Sequence, residues 1–153
     1  MRLWQALYGT IWVVFLEFLL SMAPQGRPWT LYSHYALGFI VVGIAYSNYR
    51  ALRATTAPGR IKRIVYATFA MSVLMAILGP LLVFNIGASW PVLAGITVWN
   101  LILLVHVTTA FGIITQMAAT AIAYDMWEDK EFLQETTAGE QPRTPSAAAT
   151  RVR

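Results

Sequence analysis

There is no cysteine in the 153 residues of this chain. Its absence excludes disulfides, thiolate metal sites, iron–sulfur clusters and the covalent attachment of a c-type haem. Charge is the second scarcity. Only 12% of residues are Asp, Glu, Lys or Arg, against roughly 25% in an ordinary soluble domain. With 58% hydrophobic residues, the chain cannot clothe a water-facing surface and reads as an integral membrane protein. Acidic residues are rarest where the sequence is most apolar: Glu17 is the one carboxylate before Asp125. The net charge of +4 does not point to nucleic acid as a partner, because most of the basic residues stand beside the apolar runs. Histidine is the third scarcity, with only His34 and His106.

What is present is a series of apolar runs with clear stops. The first span covers residues 3–23, preceded by Arg2 and ended by Pro24, Gly26 and Pro28. A cleaved signal peptide is the rival reading, with residues 21–23 as the cleavage motif. The run is about 20 residues, long enough to cross a bilayer, and it carries Glu17; both features favour a retained span. The second span covers residues 29–49 and is closed by Arg50 and Arg53. A loop holding Pro58, Gly59, Arg60, Lys62 and Arg63 follows. From Ile64 to Tyr124 there is no Asp, Glu, Lys or Arg, a stretch far too long for one passage across a core of about 30 Å. The turn-forming residues Asn85, Gly87 and Pro91 break it, with Gly79-Pro80 as a kink before the break. The third span is therefore 64–84. The fourth lies within 91–124, and it begins near 98 if Trp99 marks the membrane interface. Residues 85–97 would then be a loop or a short interfacial helix. An acidic segment from Asp125 to Glu135 leaves the bilayer. The reading is an all-α, antiparallel four-transmembrane-helix bundle over 1–135, with 136–153 as a disordered cytoplasmic tail.

Four spans put both termini on one side. Arg2, Arg50, Arg53, Arg60, Lys62 and Arg63 share that side, against Arg27 on the other. By the positive-inside rule the six face the cytoplasm, making this a multi-pass protein of the cell membrane.

Spans two and four then run in the same direction, each with one histidine near its outer end. An ionisable group in hydrocarbon is costly and is a functional candidate by default. If Trp29 and Trp99 both mark the interface, His34 and His106 lie at similar depths. Helices two and four can occupy a diagonal of the bundle, where neighbouring axes about 8–10 Å apart leave a gap too wide for two imidazoles to touch. The gap suits an imidazole, an iron and a second imidazole in line, so the pair is read as axial ligands of a b-type haem. The competing readings are a proton or quinone site and two packed histidines without function. Gly38, one helical turn after His34, leaves room for a flat macrocycle. The small residues Thr68, Ser72, Ala76 and Gly79 form a stripe suited to helix packing. Thr109, Gln116 and Thr120 share one face suited to bonds between helices.

Thr10, Glu17 and Ser21 fall on one face of the first span, which should point inward because a carboxylate facing lipid is costly. Glu17 is a candidate catalytic or proton-donating group, or a protonated carboxyl bonded across the bundle. Arg27 could pair with a haem propionate or with a lipid headgroup.

Four spans with histidines in the second and fourth resemble one half of a haem A synthase, and small b-type cytochromes of respiratory membranes share a similar layout. The resemblance covers residues 3–124 and rests on His34 with Gly38 after it, and on His106. It implies haem held toward the outer face. It implies electron transfer within a respiratory assembly or a homo-oligomer, with a quinone among the candidate partners, or else oxidation of a haem methyl group with Glu17 near the reacting edge. The synthases carry a glutamate shortly before the histidine of the second span and an arginine just after it. Here Leu31 and Tyr35 stand at those places, which bears on catalysis more than on haem binding. A haem-free accessory subunit or small transporter is the remaining alternative.

Overall fold

The computed structural model describes residues 3–22 and 28–140, with side chains described through Gln134. Four helices carry it: α1 (Leu3–Ser21), α2 (Pro28–Arg53), α3 (Gly59–Val83) and α4 (Val98–Glu140). A two-stranded antiparallel hairpin, β1 (Pro91–Leu93) and β2 (Ile96–Thr97), separates α3 from α4. α1 packs on α2 and α4, and α3 packs on the same two, so α2 and α4 face each other across a diagonal. Among the described residues α1, α3 and the first 37 residues of α4 are long and apolar enough to cross a membrane. α2 is as long but more polar, carrying Ser33, His34, Ser47 and Asn48.

The break expected after residue 84 is built by backbone chemistry. Asn85 takes a left-handed conformation with φ 52°. Its N–H donates to the Leu82 carbonyl at 3.1 Å, and the Ile86 N–H donates to Leu81 at 2.9 Å. This pair of bonds is a Schellman cap, which satisfies the last carbonyls of a helix. Pro80 lies inside α3, one turn before the cap. Of the two expectations for residues 85–97, a loop or a short interfacial helix, the structure has the loop. Gly87 and Gly95 adopt φ of 79° and 77°, which turns the chain too sharply for a helix. The result is a turn followed by the hairpin.

α4 starts at Val98 with a capping box. The Thr97 N–H donates to Asn100 Oδ1 at 2.9 Å, and the Asn100 N–H returns to Thr97 Oγ1 at 3.4 Å. The Trp99 indole donates to the Leu82 carbonyl at 3.0 Å, tying the start of α4 to the end of α3. α4 then continues past Asp125 to Glu140, five residues into the segment read as a tail. The remainder of that segment, 141–153, lies outside the described residues, as do Arg27 and the cleavage motif's Ala23.

Two apolar clusters fill the bundle. One, at the end carrying the α2–α3 loop, joins Leu7, Leu52, Ile61, Val65, Ala121 and Tyr124. The other, nearer the middle, joins Val14, Val41, Ala45, Ile113 and Met117. The buried polar groups between them bond across helices: Asn48 Nδ2 donates to Thr10 Oγ1 at 2.8 Å, and Thr68 Oγ1 donates to Gln116 Oε1 at 3.0 Å. Thr68 and Ser72 are buried, so the lower half of the small-residue stripe serves packing as expected. Packing is tight where α3 meets α4. A Cβ on Gly112 would come within 2.5 Å of Met71 Cε.

Candidate functional site

Above the second cluster the four helices stop interdigitating, and two adjoining cavities open. The deeper one, of about 70 Å³, is walled by the top of that cluster and by Gly38, Ser72, Ala76 and Gly79. The other, of about 250 Å³, reaches toward the hairpin end, where it is walled by Ser21, Leu31, Leu82, Val83 and Leu103. Glu17, His34, Tyr35, Gly79 and His106 line both. The two cavities are thus halves of one cleft, divided where the histidines stand.

The helix starts explain why the histidines meet. His34 is six residues into α2 and His106 eight residues into α4, or about 9 and 12 Å at 1.5 Å per residue. Because α4 begins at Val98 rather than at Pro91, the two depths agree. The imidazole centroids are 6.4 Å apart with planes inclined at 60°. The two rings approach each other edge-to-face across the diagonal, closer than the gap expected there, one too wide for two imidazoles to touch.

Glu17 comes from α1 to the same point. Its Oε1 lies 2.7 Å from His34 Nδ1, with both side chains largely buried. The distance is that of a hydrogen bond, but the ring N–H is not aligned on the carboxylate, and Nδ1 has no aligned hydrogen-bond partner. We regard the contact as a short electrostatic one, since a distance is less sensitive to small ring rotations than an angle. A carboxylate on one ring nitrogen is the usual way of fixing a histidine's tautomer so that the other nitrogen is free to ligate.

Three buried side-chain polar atoms among the described residues lack a hydrogen-bond partner: His34 Nδ1, Tyr35 Oη and His106 Nδ1. All three belong to residues lining the cleft. Buried polar atoms are paired in most folded proteins; with Glu17 beside His34 Nδ1, Tyr35 Oη and His106 Nδ1 are the two left at the cleft without a partner. Tyr35 was not among the site residues expected from sequence. It follows His34 directly, and its ring edge approaches Gly79, where a Cβ would lie 3.6 Å from Tyr35 Cε1 and 3.9 Å from His106 Cε1. Its signal was the position three residues before Gly38, which shares the inward arc of α2. A Cβ on Gly38 would meet no atom within 4 Å, so the cleft has space beside the α2 backbone.

Of the expected site residues, His34, His106, Glu17 and Gly38 are brought to one cleft. Thr109 is buried, and Gln116 and Thr120 are spent on bonds within the bundle. Arg27 lies outside the described residues. Among those residues no group of three or more His, Cys, Asp or Glu side chains is arranged to hold a metal ion. Comparison with family models, with curated proteins and with solved structures gave no match.

Proposed function

We propose that this chain is a four-span membrane haem protein in which His34 and His106 are the axial ligands of one b-type haem. The observation that carries the reading is the pair of imidazoles, 6.4 Å apart across the bundle diagonal, at the divide of a cleft lined by unpartnered polar atoms. Haem bound there would supply one-electron redox chemistry.

The chain's own residues would do the following. His34 and His106 ligate from opposite helices. Glu17 orients His34 through Nδ1. Tyr35 offers a hydroxyl to the ligand's edge. The apolar walls formed by Val41, Ala76 and Ile113 keep water from the deeper half of the cleft. In this reading α2 also crosses the membrane, bringing the spans to four, because it is 26 residues long and packs between α1 and α3. The end bearing Arg50, Arg53, Arg60, Lys62 and Arg63 faces the cytoplasm, which puts the cleft near the outer face of a cell membrane. The haem would pass electrons there, within a respiratory assembly or between copies of the chain. The contact between Glu17 and His34 supports an orienting role for that carboxyl over a catalytic one in the oxidation of a haem methyl group.

The test is a reduced-minus-oxidised absorption spectrum of the purified protein, followed by extraction to identify and count the haem. The expected result is a b-type spectrum with one haem per chain. His34→Ala and His106→Ala should each abolish or displace the Soret band while the protein stays in the membrane. A protein that stays colourless when made in haem-replete cells would overturn the reading. Haem A appearing in the extract when haem O is supplied would replace electron transfer by synthesis.

A further inference from the structure

The hairpin end of the bundle poses a problem of its own. On the two helices that the hairpin joins, no residue there is charged: α3 carries no Asp, Glu, Lys or Arg after Arg63, and α4 carries none before Asp125. From Trp90 to Ile96 there is not one polar side chain besides the Trp90 indole. Phe84, Ile86, Trp90, Val92, Leu93 and Ile96 are all exposed, Leu93 at 70% and Trp90 at 59%. A hairpin in water alternates polar and apolar faces, and a lone two-stranded hairpin is at best marginally stable there. This one has no polar face to offer.

Two facts locate the environment it needs. The first is depth. Arg63 and Val83 are 20 residues apart on α3, about 30 Å at 1.5 Å per residue and so the thickness of the hydrocarbon core. With Arg63 at one boundary, Val83 reaches the other, and the segment after it enters the headgroup layer. It is held close, because the Val98 N–H donates to the Trp90 carbonyl at 3.0 Å and the Trp99 N–H to Gly87 at 3.3 Å. The second is backbone chemistry. The outer edges of a two-stranded ribbon expose unpaired N–H and C=O groups, which hydrocarbon does not tolerate. The headgroup layer supplies both apolar contact and hydrogen-bond partners, and tryptophan prefers it.

We infer that the hairpin Pro91–Thr97 is a membrane-interface anchor, seated among the phospholipid headgroups and upper acyl chains of the leaflet at that end. Lipid is the occupant favoured over a protein, because a protein docking on one face would leave the other exposed, whereas a leaflet surrounds both. The surface is also continuous with the lipid-facing side of α3, where Ile77 and Val83 are exposed. The anchor follows directly from Leu82 and Val83, which wall the cleft, so it fixes the height of that mouth against the bilayer. This holds whether or not haem binds.

The lack of native cysteine makes the experiment direct. The full chain carrying Leu93→Cys is labelled with a nitroxide and reconstituted in phosphatidylcholine vesicles. Power saturation is read with oxygen, which concentrates in lipid, and with a water-soluble nickel chelate. Thr56→Cys, exposed in the α2–α3 loop, gives the aqueous reference, and Ile77→Cys the lipid reference. The expected oxygen-to-nickel collision ratio at Leu93 is several-fold above that at Thr56 and below that at Ile77. A Leu93 ratio equal to that at Thr56 would overturn the anchor. So would a label shielded from both reagents, which would assign the hairpin to a contact with a second copy of the chain. Both substitutions at the hairpin end and in the loop fall on exposed side chains, so folding is not at issue.

Discussion

Tyr35 and Glu17 are the residues whose chemistry is most exposed to test. The Tyr35 hydroxyl is buried without a partner, and an unsatisfied group of this kind costs about 1–3 kcal/mol. Tyr35→Phe should therefore raise the melting temperature of haem-free protein, by the equivalent of about 1 kcal/mol. If the hydroxyl serves the ligand, the same variant should gain less from added haem than the native chain does. Differential scanning fluorimetry with and without haem reads both effects. Glu17→Gln keeps the shape but replaces the carboxyl beside His34 by an amide. Outer-shell partners of a ligating histidine typically change affinity about 10–100-fold. Haem titration followed at the Soret band should show a loss of that order with the band itself retained, in contrast to the histidine variants.

Among the elements, the connection between α3 and α4 is the most constrained. Gly87 has φ of 79°, and a Cβ there would lie 2.7 Å from Val98 Cβ. Gly87→Ala adds strain to a clash with the first residue of α4, so it should destabilise by about 1–3 kcal/mol and lower the melting temperature. Because that connection also sets where α4 begins, the variant should weaken haem binding from a distance. Asn48 is the corresponding tie between α1 and α2. Its bond to Thr10 is buried, and interhelical hydrogen bonds in membranes are worth about 1 kcal/mol. Asn48→Ala should cost about that much in an unfolding titration with a denaturing detergent, without altering a haem spectrum.

At the scale of the whole molecule, most of the charge on the described residues gathers at one end, with Glu17 the exception at the cleft. Arg53 closes α2, and Arg60, Lys62 and Arg63, expected in the loop, lie in the first turns of α3, at the same end as the extension of α4, which holds Glu128, Asp129 and Glu131. Thr56 in the loop donates to Glu131 Oε1 of α4 at 3.4 Å, Tyr8 of α1 donates to Asp125 Oδ2 of α4 at 3.5 Å, and Lys62 Nζ of α3 donates back to the Thr55 carbonyl at 2.6 Å. If that end faces the cytoplasm, Thr56→Cys in intact cells should resist a membrane-impermeant maleimide and react only after lysis. Labelling of intact cells at Thr56 would invert the topology.

Much of this architecture was legible from residues alone. A chain with so few charges, interrupted at Arg50–Arg63 and at Asn85–Pro91, has to form apolar helices with stops at those places, because backbone groups in a membrane must bond internally. The two lone histidines and Glu17 stood out because each is costly in an apolar run. What the sequence did not give was α4's starting point. Val98 and Pro91 were equally apolar entries, and only the Asn85 cap, the Gly87 turn and the Trp99–Leu82 bond select Val98. Nor did it give the contact between Glu17 and His34, or the arrival of Tyr35 at the same cleft. Periodicity tells which face of a helix points inward. Which inward groups meet depends on the depth and rotation of each helix, and those are set by packing against the other three.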